Sequence, residues 1–216
     1  MIPDDRRPDA DSIWCSTMTR DLELESSTSS SRVRTCIPSS MPRQYAIMSA
    51  WREMTATDIN GVLAVANKIH TTLPERDVVF AERARLFPEG CLVLVDDGEV
   101  VGYAISHPIR FRQPPALDSF VHEIAADANQ YYIHDLAILP GSRARGLAAD
   151  CVWKLLNVAK RYQTTCLISV YGTVTFWARY QFEPDTVDNA LAEKLREYGA
   201  DARYLCRQND EHSVAR

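Results

Sequence analysis

Positive charge is in short supply. Lys and Arg number 24 against 29 Asp and Glu in 216 residues, a formal net charge of −5, so no global positive field exists to gather nucleic acid or an anionic membrane surface. Long apolar runs are missing too: none approaches the roughly 20 residues that cross a bilayer, and the opening MIPDDRRPDADS has no apolar stretch of a secretory kind. Cysteine motifs are also lacking. Cys15, Cys36, Cys91, Cys151, Cys166 and Cys206 are scattered, with no CxxC pair and no close His/Cys grouping, which offers no zinc site and fits reduced thiols, each a small buried hydrophobe where its segment is apolar. These absences lead us to expect a soluble, cytoplasmic protein with no nucleic-acid partner, no membrane and no metal. No internal repeat is visible, which excludes solenoids.

What is present is enough apolar content, 46%, for one sizeable core. Residues 1–44 mix acids, arginines, prolines and the run Ser26 to Ser31 with few large apolar residues; such a segment cannot offset its ordering entropy and is expected to be a disordered tail. Its acids, among them Asp4, Asp5, Asp9 and Asp11, argue against a transit peptide. Residues 45–209 form the expected domain, with a short tail at 210–216. After AIMSAW, Thr55-Ala-Thr-Asp58 predicts a helix start, with Ile59, Val62, Leu63, Ala66 and Ile69 on its buried face. Pro74 suits the first turn of a second helix to about Phe87, with Val78, Ala81 and Phe87 inward. CLVLVDDGEVVGYAIS predicts a hairpin on Asp97-Gly98. A polar stretch, 108–130, precedes the strand YYIHDLAIL, and its length marks a functional loop or short helix. A helix over 143–162 presents Leu147, Cys151, Leu155, Val158 and Tyr162. The strand TCLISVY, a short helix at TVTFWARY, an amphipathic helix with Val187, Leu191, Leu195 and Tyr198, and a last strand ARYLCRQ complete the order.

The informative segment is Leu136-Ala137-Ile138-Leu139-Pro140-Gly141-Ser142-Arg143-Ala144-Arg145-Gly146-Leu147-Ala148-Ala149. A strand stops at proline, a basic glycine-containing turn follows, and a helix begins. Helix-start N–H groups lack partners within the helix and carry the positive end of its dipole, which suits a phosphate. Gly146 admits a ligand to the backbone, and Arg143 and Arg145 can add charge-assisted hydrogen bonds. Neither GxxxxGK[ST] nor GxGxxG is satisfied.

This segment resembles the signature of GNAT acetyltransferases, [QR]-x-x-G-x-[GA] after a strand of the type "LAV-x-P": here Leu136-Ala137-Ile138, Pro140 and Arg143-x-x-Gly146-x-Ala148. Phe176-Trp177-Ala178-Arg179-Tyr180-Gln181-Phe182 is similar to the family's downstream "FYEKxGF" segment. The resemblance covers about three quarters of the chain. It implies an α/β fold of mixed α+β character: a central, mostly antiparallel sheet of six to seven strands with helices on both faces. It also implies acetyl-CoA as co-substrate, its pantetheine arm along Leu136, Ala137 and Ile138 and its pyrophosphate held by Arg143, Ala144, Arg145, Gly146, Leu147, Ala148 and Ala149.

The family reaction is attack of a neutral amine on the thioester through a tetrahedral intermediate, which needs proximity, a proton acceptor, oxyanion donors and an acid for the thiolate. Strand alternation predicts Tyr132, His134 and Leu136 on one face and Asp135 on the other. His134 is the expected base, at a position where arylalkylamine acetyltransferases carry a histidine, and an imidazole titrates near neutrality. Glu123 and His122 are weaker candidates. Trp177 stands where the family's acidic tyrosine would be, and indole gives up no proton; Tyr171 is the preferred substitute and Tyr180 the other nearby phenol. Gln181 replaces the usual glycine. The expected activity is N-acetyl transfer to a primary amine, small-molecule or peptide, with a sheet edge open to a homodimer. Two other readings compete: a non-catalytic acyl-CoA-binding regulatory module, which Trp177 and Gln181 favour, and an α/β domain for another phosphate ligand.

Overall fold

The computed structural model describes residues 49–143 and 145–209. The expected tails at 1–44 and 210–216, and Ala144 of the turn, lie outside the described residues.

Strand β1 (Ala50–Glu53) leads through a short 3-10 turn into helix α1 (Ile59–Ile69). Asp58 fixes that junction. Its carboxylate accepts the Thr55 N–H at 2.8 Å and the Arg52 guanidinium at 2.7 Å, so the acid foreseen at the helix start both satisfies backbone and ties it to β1. Helix α1 buries Ile59, Val62, Val65 and Ala66 at the expected spacing. Helix α2 (Asp77–Leu86) begins three residues after Pro74, leaving 70–76 as a connecting segment. Its inward side is Val79, Phe80 and Arg83, whereas Val78 is 45% exposed. Ala81 and Phe87 pack inward as expected; Val78 does not, and Arg83, paired with Glu82 at 2.6 Å and donating to the Ser119 carbonyl at 2.6 Å, occupies a core position that a charge pattern assigns to solvent.

Strands β2 (Cys91–Asp96) and β3 (Glu99–Ile109) form the expected hairpin, with Asp97 and Gly98 at φ 51° and 82° as its two-residue turn requires. An irregular segment over 110–129 follows, then β4 (Gln130–Ile138), α3 (Leu147–Ala159), β5 (Thr164–Ser169), α4 (Val174–Ala178), a two-residue β6 (Glu183–Pro184), α5 (Asn189–Glu197) and β7 (Arg203–Gln208). The sheet order is β1-β2-β3-β4-β5-β7-β6. Every neighbouring pair is antiparallel except β4 with β5. Leu92, Leu94, Ile133, Leu167 and Leu205 pack with α3 and α4 on one face; Val93, Tyr103 and Ile105 pack with α1 and α2, and Tyr132, Ile168 and Tyr204 with α5, on the other.

Two irregularities in β4 create the site. The parallel pairing with β5 covers only Gln130 to Ile133 against Thr164 to Leu167, although both strands run on, so they part and leave the β5-facing edge of β4 unpaired from His134 onward. On the other edge, Ile105 pairs with Asp135 but Ser106 with Ile133, so His134 is the extra residue of a β-bulge. The bulge shifts the alternation: Leu136 turns to the α3 face and Asp135 joins His134 on the α1 face. Strict alternation, which put Leu136 with His134 and Asp135 opposite, is corrected here.

Candidate active site

Helix α3 opens on Gly146 at φ 76°, with no side-chain cap on its first turn among the described residues, so no described side chain plugs the leading N–H groups of Leu147, Ala148 and Ala149. A Cβ added at Gly146 would meet nothing within 4 Å, and the space over the turn is therefore open to a ligand. The helix was expected from Arg143; instead a 3-10 turn, Pro140–Ser142, and the left-handed glycine delay it to Leu147. Trp51 braces that start, its indole N–H donating to the Leu147 carbonyl at 2.7 Å. Arg143 Nε donates to the Ile138 carbonyl at 2.8 Å and so locks the turn to the end of β4. Arg145 reaches the other way, to Asp96 at 2.8 Å and to Ser49, on the hairpin side. Among the expected cofactor residues, the structure thus gathers Leu136, Ala137, Ile138, Arg143 and the start of α3, and pairs Arg145 elsewhere.

Where β4 and β5 part lies a cavity of about 380 Å³, lined by both strand ends, by 68–69 of α1 and His70 just after it, and by Phe176 and Trp177. His134 and Tyr171 both line it. His134 Nε2 lies 2.9 Å from Glu75 Oε2, the two side chains 3% and 6% exposed. Because an ionised carboxylate only accepts, Nε2 carries the hydrogen, and in the neutral ring Nδ1 carries the lone pair; Nδ1 has no hydrogen-bond partner among the described residues. Burial pushes the Glu75 carboxyl up, but the charge and hydrogen bond of His134 outweigh it, and the net shift is downward. The Asp118 N–H also donates to Glu75, at 3.1 Å, and Arg76 grips Asp118 at 2.7 Å, so the 110–129 segment is tied to this pair.

A second pair stands beside the first. His70, at the end of α1, places Nε2 3.1 Å from Asp135 Oδ1, and Tyr103 donates its hydroxyl to Asp135 Oδ2. Burial alone would raise the Asp135 carboxyl, yet His70 and the Tyr103 hydroxyl bring it lower; His70 is depressed by burial but raised overall by Asp135. The Tyr171 ring stacks on His70 at 5.7 Å, its hydroxyl 3.5 Å from the Thr72 hydroxyl, and burial moves the phenol upward. Tyr171 holds φ 54° before Gly172 at 71°, a left-handed turn that aims the ring back over the cavity.

Trp177 is buried against Phe176 and Phe182 and supplies shape rather than a proton. Tyr180 packs on Phe176 and Trp153, outside the cavity lining. His122 and Glu123 lie on the irregular segment, and neither lines the cavity. Sequence reading missed Glu75, His70 and Asp135. The only signal was two His and two acids split between 70–75 and 134–135, which no periodicity joins.

An open sheet with a parted central strand pair, a helix start facing the gap, and a mostly apolar cavity between them that holds two buried His–carboxylate pairs is an arrangement that suits an acyl-CoA ligand. The chain belongs to the acetyltransferase (GNAT) family, whose model matches residues 51–179. Similar solved structures include the loading GNATL domain of CurA from Lyngbya majuscula (TM-score 0.62, 11% identity, 74% of this chain and 98% of that one). Others are Arabidopsis thaliana Naa50 in complex with the bisubstrate analogue CoA-Ac-MVNAL (0.55, 11%, 74% and 97%) and N-acetylglutamate synthase from Neisseria gonorrhoeae complexed with coenzyme A and N-acetyl-glutamate (0.56, 16%, 75% and 35%). At these identities the likeness concerns the fold. No curated protein matches. Among the described residues, no helix is long and apolar enough to cross a membrane.

Proposed function

We propose that the protein is a cytoplasmic N-acetyltransferase that moves an acetyl group from acetyl-CoA to a primary amine, small-molecule or peptide. The observation that carries this reading is the juxtaposition of an uncapped helix start at Gly146 with a cavity that holds the buried His134–Glu75 pair. The N–H groups of Leu147, Ala148 and Ala149 hold the pyrophosphate, Arg143 keeps the turn on β4, and the unpaired edge at Leu136, Ala137 and Ile138 receives the pantetheine arm and offers N–H groups to the developing oxyanion. Bound there, acetyl-CoA supplies the activated acyl group.

His134 takes a proton from the acceptor ammonium at Nδ1, and Glu75 stabilises the imidazolium that forms. The N–C bond then forms as the carbonyl π pair moves to oxygen, giving a tetrahedral intermediate; when the carbonyl re-forms the C–S bond breaks and the sulfur leaves with the electron pair. Tyr171, whose phenol stays protonated at neutral pH, donates to it. Glu75 and Asp135 make the cavity attractive to a cationic amine. The test is thiol release from acetyl-CoA over a panel of amines, with Tyr171→Phe expected to lower kcat about tenfold or more and to leave acetyl-CoA affinity unchanged. Tight acetyl-CoA binding with no turnover on any amine would favour the regulatory module that Trp177 suggests.

A further inference from the structure

An ammonium carries three N–H bonds and the amide product one, so acyl transfer removes two protons from nitrogen while sulfur takes up one and the solvent one. His134 Nδ1 has room for a single proton. The cavity holds a second imidazole in the same arrangement. His70 lines it, its side chain is 13% exposed, and its Nε2 is committed to Asp135, which Tyr103 holds from the opposite strand. A carboxylate partner again fixes the hydrogen on Nε2, which leaves the lone pair of the neutral ring on Nδ1, and no side-chain hydrogen bond engages Nδ1 among the described residues. The β-bulge at His134 brings this about, because it turns two consecutive residues of β4 to one face, each holding a partner from 70–75.

We infer that His70, oriented by Asp135 and Tyr103, is a second catalytic acceptor that removes the amine's second proton after the N–C bond has formed. This rests on the transferase reading above. In the balanced step, the N–H electron pair stays on nitrogen as the amide lone pair, this proton moves to His70 Nδ1 and then to solvent, and the C–S pair departs with sulfur. Sulfur takes its proton from Tyr171, and the proton held by His134 restores the phenol. Asp135, 3.1 Å from His70 Nε2, holds the imidazolium after transfer. The charged and titratable groups around His70 are Asp135 on β4, Glu75 in the segment after α1, Tyr171 at the end of β5, Tyr103 on β3 through Asp135, and Lys68 on its own helix.

The experiment is steady-state kinetics of the full chain with acetyl-CoA and the best amine of the panel between pH 6 and 9, for wild type, His70→Ala, His70→Gln and Asp135→Asn. We expect His70→Ala and His70→Gln to melt as wild type does, to bind acetyl-CoA within about twofold of it, and to lose about 100-fold in kcat. The acid limb of kcat should lose one proton from its slope, added imidazole should restore part of the His70→Ala rate, and Asp135→Asn should move that limb. A kcat within about threefold of wild type in both His70 variants overturns the inference while His134→Ala remains inactive and the transferase reading stands. So does a loss that imidazole does not rescue and that leaves the pH profile unmoved, which marks a structural role. A wild-type protein that binds acetyl-CoA and turns over no amine overturns both.

Discussion

Replacing Gly146 by aspartate separates the fold from cofactor binding. Gly146 sits at φ 76° with no atom within 4 Å of an added Cβ, so the substitution introduces backbone strain of about 1 kcal/mol and no clash. A carboxylate at a helix N-terminus recovers about 0.3 to 1 kcal/mol of this from the dipole. The free variant should therefore melt within about 4 °C of wild type. Binding responds differently: a carboxylate about 5 Å from one phosphate charge, at an effective dielectric of about 20, is repelled by about 3 kcal/mol, which weakens the complex roughly 100-fold. Acetyl-CoA at 100 times the wild-type Kd stabilises wild type by about 2.7 kcal/mol, a rise in Tm of roughly 5 to 10 °C. For the variant the same concentration yields about 0.4 kcal/mol and a shift of about 1 °C. Calorimetry and ligand-dependent melts measure both, and Gly146→Asn, which has a similar shape and tolerates the left-handed region, controls for strain without charge. Wild-type affinity in a folded Gly146→Asp protein would refute the claim that this turn grips the diphosphate.

Further outcomes follow from the same geometry. His134→Ala should lower kcat by about 100-fold or more with acetyl-CoA affinity unchanged by calorimetry, and an unchanged pH–rate profile would retire it as the base. Gln181 holds φ 66° on the exposed side of the turn after α4, so Gln181→Gly should raise stability by about 1 kcal/mol, read as a Tm increase of roughly 2 to 4 °C. The hydrogen bonds of Arg52 hold the Asp58 carboxyl well below its ordinary range. Its contribution is therefore fully present above an unfolded value near about pH 4 and lost as pH falls from there. Asp58→Asn should lower stability by about 2 kcal/mol at pH 7 and flatten the acid limb of a stability–pH curve.

The hairpin at Asp97-Gly98 and the strand–turn–helix at 136–149 were legible because their physics is local: positive φ needs Asp or Gly, and an anion site needs small residues and free amides. Helix α2 was legible as an element but not in its start or in the place of Arg83, which takes an inward position because its neighbour Glu82 pairs with it and the Ser119 carbonyl, distant in sequence, accepts from it. The bulge at His134 has no local signature, and yet it decides which side chains share the cavity. Glu75 and His70 enter the site from a connecting segment, Glu75 concealed by a helix predicted from Pro74 and His70 lying just past the last residue of α1. Gln181 adopts the left-handed turn of the glycine it replaces, so the departure from the family pattern is absorbed as strain and leaves the turn intact.

The central claim is that amides at the start of α3 and the His134–Glu75 cavity together present a thioester to an amine. Stopped-time measurement of free thiol, with purified protein, acetyl-CoA and an amine library, addresses it most directly. The account predicts release above the spontaneous rate with at least one primary amine, stoichiometric with acetylated product. Saturable acetyl-CoA binding with thiol release at the spontaneous rate for every amine would contradict it.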